Sequence, residues 1–122
     1  MRRRVILEAA VVACIMTALK ETPGVVVRKR HGTAFGVAGD PDLYGTIHGR
    51  HFELEAKRPN DPSSQLTKLQ TLRLREWNLA GAITGVVRSR EEALTILGLP
   101  SEPPARCPLC KRLLFELQQA EA

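Results

Sequence analysis

The sequence predicts one α/β domain whose elements follow the order αβββαβα. Three observations predict this class. The length of 122 residues suits a single core and leaves no room for a second folded unit. Apolar residues recur at helical spacing near the start and again at 66–79, whereas the short runs between them are rich in β-branched and aromatic residues. No internal repeat or long low-complexity tract interrupts the pattern.

The first helix is predicted from an apolar stripe in which Glu8 is the one acid. The stripe consists of Val5, Ala9, Val12, Met16 and Leu19. Residues 22–24, Thr-Pro-Gly, end this helix, and 25–30 is expected to be a strand. A glycine-rich segment, 32–40, then leads to an acidic run. A nearly buried glutamate needs a partner, and a metal ion or a lysine would serve.

Two strands, 43–47 and 51–57, are predicted to form a hairpin around a turn at 48–49, where His-Gly suits a two-residue connection. Directly opposed residues share a face of the sheet, so this register sets Asp42 opposite Glu55. The same register pairs Ile47 with Arg50 and Tyr44 with Glu53.

The second strand of the hairpin has a polar face and an apolar face. The polar face carries Glu53, Glu55 and Lys57, and the face towards the core carries Phe52, Leu54 and Ala56. Opposed carboxylates repel, so a cation is expected between them, and Mg²⁺ prefers oxygen ligands. Lys57 would add positive charge beside it, which suits hydrolysis of a phosphodiester bond.

These motifs resemble the PD-(D/E)xK nuclease superfamily and, within it, the virus-type replication-repair nuclease (VRR-NUC) domain. The resemblance covers roughly the first four fifths of the chain. It rests on Glu8, Gly39 to Tyr44 with its Pro-Asp, Phe52 to Pro59 with its Glu-x-Lys, Leu66-Thr67 with Gln70, Gly81, and Val86 to Leu97. The fold it implies is restriction-endonuclease-like, an αβββαβ core with a central mixed sheet flanked by helices.

The resemblance also implies roles for single residues. Glu8, Asp42 and Glu55 would be metal ligands together with the backbone carbonyl of Ala56. Lys57 would be the catalytic lysine, and Asp42, Glu55 and Gln70 would act with it. The chain departs from the family in carrying Glu53, which is either an additional ligand or a surface charge. Asp40 is a second acid near the site, but the Gly-x-Pro-Asp pattern favours Asp42 as the ligand.

The second half of the predicted domain contains two helices and a strand. An amphipathic helix spans 66–79, a buried strand spans 82–88, and a third helix begins at 89–92 with a serine cap followed by acids. The proline-rich run 100–104 marks the domain boundary. The expected organisation is a nuclease domain at 1–99 and a tail at 100–122.

The charge of the chain favours an anionic partner. Eighteen basic and thirteen acidic side chains give a net charge of +5 and a pI near 9.6, which favours DNA or RNA as partners, although charge alone is also compatible with an acidic membrane surface. The residues predicted to contact nucleic acid are Arg28, Lys29, Arg30 and Arg58. Further arginines lie downstream of the acidic run, at positions 73, 75, 88 and 90.

The two ends of the chain carry weaker signals. Cys107 and Cys110 form a CxxC pair, which is half of a zinc site, so bound Zn²⁺ and free thiols on a tail helix at 113–119 stay open. Arg2 to Arg4 before an apolar run imitate a secretory leader, but Glu8 interrupts that run, which is also too short to span a bilayer. We therefore expect a cytoplasmic protein without a membrane partner.

Taken with the resemblance, the residues predict a Mg²⁺-dependent endonuclease acting on DNA, in which Mn²⁺ could substitute. Branched DNA is the expected substrate and a Holliday-junction resolvase-like homodimer the expected assembly, because stand-alone members of the family are associated with both. Two alternatives stay open: a nickase or flap nuclease of the same fold, and a non-catalytic DNA-binding or adaptor module.

Overall fold

A computed structural model describes residues 7–31, 36–59, 61 and 63–100. The predicted order αβββαβα is confirmed within them. The elements are α1 (Glu8–Lys20), β1 (Val25–Lys29), β2 (Leu43–Ile47), β3 (Arg50–Ala56), α2 (Lys68–Leu79), β4 (Ile83–Val87) and α3 (Arg90–Ile96). The CxxC cysteines Cys107 and Cys110, the tail helix and Val5 lie outside the described residues.

The four strands form one mixed sheet in the order β1-β2-β3-β4. The first two pairings are antiparallel, and β3 pairs with β4 in parallel. The predicted hairpin register is confirmed: Tyr44 pairs with Glu53 and Ile47 with Arg50. The turn residues His48 and Gly49 have φ angles of 47° and 82°, the left-handed conformation that a two-residue hairpin turn needs.

One face of the sheet packs against α1 and α3 and forms the core. The turns of α1 that face the sheet bury Val11, Val12, Ile15 and Leu19, so the buried stripe agrees with the predicted one at Val12 and Leu19 but not at Ala9, which is exposed. The strands contribute their apolar side chains to this core: Val27, Leu43, Ile47, Phe52, Leu54, Ala56 and Val87.

The opposite face of the sheet is polar, and α2 packs over it. Only Leu74 of this helix is buried, whereas Leu69, Leu72 and Leu79 are exposed. The predicted amphipathic character of α2 therefore does not bury its leucines, because the sheet beneath offers glutamates and a lysine rather than an apolar surface.

The expectation that β4 is a buried strand is wrong. It lies at the edge of the sheet beside β3, and only Val87 of its five residues is buried. Across the part of the chain that the structure describes, no helix combines the length and the apolar character needed to cross a membrane.

Candidate metal centre

Three acids from three separate elements come together at one end of the sheet. Glu8 lies in the first turn of α1, Asp42 immediately precedes β2, and Glu55 is the sixth residue of β3. One carboxylate oxygen of each lies within 4.8 Å of the others. The hairpin brings the latter two acids together, as the sequence predicts, and the packing of α1 adds Glu8.

Asp42 is held by a main-chain hydrogen bond from the neighbouring strand. The backbone N–H of Ala56 donates to Asp42 Oδ2 at 3.0 Å. This bond joins the two arms of the hairpin beyond their regular ladder. It fixes the Asp42 carboxylate beside Glu55. The other carboxylate oxygen of Asp42, Oδ1, takes no part in this hydrogen bond.

Glu55 is almost completely buried, with 2 % of its surface exposed. Its Oε1 accepts a hydrogen bond from Gln70 Nε2 at 3.1 Å, whereas its buried Oε2 has no hydrogen-bond partner. Burial, and then the neighbouring Asp42 carboxylate, raise the pKa of Glu55 from 4.5 to about 8 against the opposing effect of Lys57. The fold thus places a carboxylate where its negative charge is poorly compensated.

Lys57 and Gln70 form the other side of this cluster. Lys57 Nζ lies 3.6 Å from Glu55 Oε1 and donates to Gln70 Oε1 at 3.0 Å. Gln70 therefore contacts both the acid and the lysine. It also belongs to a capping box with Thr67, which starts α2: Thr67 N donates to Gln70 Oε1, and Gln70 N donates to Thr67 Oγ1.

The donor set fits a hard divalent cation. Three carboxylates converge, one buried carboxylate oxygen lacks a partner, and mutual repulsion is what raises the proton affinity of Glu55 beyond the effect of burial. Oxygen-only donors favour Mg²⁺ or Mn²⁺ over softer metals. The residues that would hold the ion are Glu8, Asp42 and Glu55, and the carbonyl of Ala56 stays a predicted ligand.

Glu53 does not belong to this acidic cluster. It is fully buried, forms a two-pronged ion pair with Arg30, and lies 2.5 Å from Nε2 of His51. Of the two roles considered from the sequence, neither a further ligand nor a surface charge matches this position. Asp40 is likewise engaged elsewhere, because its Oδ1 accepts from Trp77 Nε1 at 3.2 Å.

The predicted nucleic-acid contacts differ in their exposure. Arg28 and Lys29 are exposed at the end of β1. Arg58 lies next to Lys57 and forms an ion pair with Asp61 at 2.7 Å. Arg30, in contrast, is turned inwards onto Glu53, so we leave it out of the proposed phosphate contacts.

The downstream arginines also divide into exposed and structural residues. Arg75 is exposed on α2, and Arg90 is buried. Arg88 donates to the carbonyls of Arg58 and Ser64, both at 2.7 Å, and so holds the loop that follows β3. Arg73 bonds Glu76 and the carbonyl of Ala38.

Sequence reasoning named two further residues of this site, Thr67 and Arg30, without predicting that they position it. Thr67 orients Gln70, and the spacing Thr-x-x-Gln before an apolar run is a capping signal that could have revealed it. Arg30 binds the segment containing Asp42 and also Glu53. No local sequence pattern predicts these contacts, since the partners lie up to 23 positions away.

Comparison with known proteins supports the fold. No protein-family model matches the chain, and no curated protein matches it. A solved structure described as a VRR_NUC domain protein superposes with a TM-score of 0.63 at 20% sequence identity, over 83% of this chain and 100% of that one. This likeness shows that the two chains share a fold, a mixed sheet flanked by helices, which agrees with the restriction-endonuclease-like fold predicted from the sequence.

Proposed function

From the VRR-NUC-like fold and its acidic cluster, we propose that the chain is a metal-dependent endonuclease that hydrolyses phosphodiester bonds of DNA. The observation that carries the proposal is the convergence of Glu8, Asp42 and Glu55 within 4.8 Å, with a buried and unpartnered oxygen on Glu55. An acidic cluster with such an oxygen is poorly explained as a stabilising element, because each buried charge costs free energy.

A bound Mg²⁺ or Mn²⁺ ion would polarise the phosphate and lower the pKa of an attacking water. The carboxylates of Glu8, Asp42 and Glu55 supply the negative charge that holds such an ion beside a phosphate. Binding of the ion requires Glu55 in its ionised form, so its raised pKa means that the site releases a proton on loading.

Lys57 is the proposed catalytic lysine. Its side chain is 9% exposed and is anchored by Gln70 Oε1, which points its ammonium group at the acidic cluster. In this position the ammonium can orient a water and stabilise the charge that develops on the phosphate oxygens. Gln70 fixes the direction of both Lys57 and Glu55 and thereby acts as a positioning residue.

The proposed DNA contacts are Arg28, Lys29 and Arg58, which combine positive charge with exposure or half-exposure. Phosphate contacts of this kind would position the duplex without reading its sequence. We propose a homodimer for the active form, supported by the leucines that α2 leaves exposed, Leu69, Leu72 and Leu79, at spacings that set them on one side of the helix. A two-fold pair of sites would suit branched DNA such as a four-way junction.

The test is cleavage of a labelled panel comprising a four-way junction, a flap, a duplex and a single strand, each with Mg²⁺, Mn²⁺ or EDTA. Asp42→Asn and Lys57→Ala remove a ligand and the lysine, and Glu21→Gln, an exposed acid after α1, is the matched control. Metal-dependent cuts in the wild type and control but in neither site variant are expected.

The pattern of cuts separates the alternatives. Paired symmetric incisions in the junction support the resolvase-like dimer, whereas single nicks or flap cuts support the first alternative. DNA binding without any cleavage would overturn the proposal in favour of the non-catalytic module.

A further inference from the structure

We propose that Arg30 is a positioning residue of the metal centre, one that holds the strand segment with Asp42 and the strand with Glu55 at a fixed separation. This inference rests on the proposed function, since it concerns the same site. Arg30 contacts neither acid through its side chain. It binds Pro41, which precedes Asp42, and Glu53, which lies two residues before Glu55, so it can fix the positions of both acids.

The first set of contacts fixes the Asp40-Pro41-Asp42 segment. Arg30 Nη1 donates to the carbonyl of Pro41 at 2.9 Å, and the backbone N–H of Arg30 donates to the carbonyl of Asp42 at 2.8 Å. Arg30 Nε lies 3.8 Å from Asp40 Oδ2. Three consecutive residues ending in a proposed ligand are therefore tied to one arginine.

The second set of contacts reaches β3. Nη1 and Nη2 of Arg30 each donate to a different oxygen of Glu53, two residues before Glu55 and on the same face of the strand. The guanidinium also lies over two aromatic rings, with its carbon 4.5 Å from the centroid of Tyr44 and 5.5 Å from that of Trp77. These contacts leave the guanidinium little freedom to turn.

This arrangement argues against a role for Arg30 in binding DNA. Both of its terminal nitrogens already donate to Glu53, and its side chain is 25% exposed. Arg28, two residues earlier and near the end of β1, is exposed, and its Nη1 donates to the carbonyl of Val27. The two arginines therefore form a matched pair, one directed at the protein and one directed at solvent.

The experiment measures Mn²⁺ binding by electron paramagnetic resonance without DNA, and DNA binding in EDTA, for the full chain. Arg30→Lys keeps the charge but cannot make the two-pronged contact. A second variant, Arg30→Met with Glu53→Met, removes both buried charges and so avoids leaving Glu53 unpaired in the core. Circular dichroism and thermal unfolding establish that each variant is folded, and Arg28→Gln is the control.

We expect the double variant to bind Mn²⁺ about tenfold more weakly than the wild type, in the range observed when residues that orient metal ligands are lost. Arg30→Lys should lie between the two. DNA affinity in EDTA should stay unchanged in both variants and fall in Arg28→Gln, whose Mn²⁺ affinity should equal that of the wild type.

Wild-type Mn²⁺ affinity in the folded double variant would overturn the inference. So would a loss of DNA affinity in EDTA without any change in Mn²⁺ binding, which would make Arg30 a phosphate contact. Failure of the proposed function gives a different result: the wild type would bind Mn²⁺, with the variants ranked as above, yet cleave no substrate.

Discussion

Replacing Glu55 by glutamine should stabilise the metal-free protein at alkaline pH while destroying the proposed activity. Glu55 is 2 % exposed, and burial together with the Asp42 carboxylate raises its pKa to about 8. Glutamine has nearly the same shape and carries no charge. Its Oε1 can still accept from Gln70 Nε2, and its amide N–H can donate to Asp42 at any pH, whereas Glu55 can do so only when protonated and repels Asp42 when ionised.

The size of the effect follows from the pKa. A rise from 4.5 to about 8 means that the folded protein retains a proton that the unfolded chain has already released. The free energy of unfolding therefore falls by roughly 5 kcal/mol as pH rises through this interval, at about 1.36 kcal/mol per pKa unit, and levels off above it. The glutamine variant lacks this loss, so at pH 8 we expect it to be more stable than the wild type by on the order of 4 kcal/mol.

The assay is urea denaturation followed by circular dichroism between pH 4 and pH 9, in EDTA and then with Mg²⁺ or Mn²⁺. Metal should restore stability to the wild type, because a ligand that binds only the folded state stabilises it, and should do little for Glu55→Gln. Glu21→Gln, at an exposed position, should follow the wild type throughout. A wild-type stability that does not fall above pH 4.5, or a variant less stable than the wild type at pH 8, would refute the reasoning.

Three other substitutions test separate parts of the structure. Gln70→Ala should lower turnover by about tenfold or more and DNA affinity much less, because the Gln70 side chain bonds Glu55 and Lys57. Single-turnover cleavage and DNA binding, measured side by side, test this, and wild-type turnover would show that Gln70 has no role in the reaction. Lys57→Ala should lower the cleavage rate by about 100-fold or more while Mn²⁺ binding persists. Loss of Mn²⁺ binding would instead show that Lys57 maintains the structure of the metal site. Gly45→Ala should cost roughly 2 kcal/mol in urea denaturation, because a Cβ there would collide with the carbonyl oxygen of Val26. Gly49→Ala, whose Cβ would meet no atom within 4 Å, is strained by its φ of 82° alone and should cost about 1 kcal/mol; a loss at Gly45 no larger than this would contradict the collision.

The hairpin was predictable in detail because its information is local. A two-residue turn at His48 and Gly49 fixes the register, and the register sets Asp42 opposite Glu55. The hairpin register alone could not predict that Glu8 lies close to these acids, since this depends on how α1 packs across the sheet. Its residue type and the family resemblance pointed to it, and the structure supplies the distance.

The contacts that sequence patterns did not reveal are those between elements. The ion pair of Arg30 and Glu53 joins residues 23 positions apart, and nothing near either residue specifies the partner. The exposure of Leu72 and Leu79 has a related cause. Helical spacing shows that a helix has an apolar side, but the polar surface of the sheet beneath α2 decides that this side faces outwards.

The capping box of α2 has a consequence for how the site opens and closes. The side chain of Gln70 caps the N-terminus of α2 and also contacts Glu55 and Lys57, so the first turn of α2 and the reactive groups form one cooperative unit. Fraying of that turn would release the lysine and the acid together, and a cation that draws Glu55 into place would in turn protect the turn from fraying. The amide protons of Gln70 and Thr71, bonded to Thr67, are therefore natural reporters of metal occupancy by hydrogen exchange.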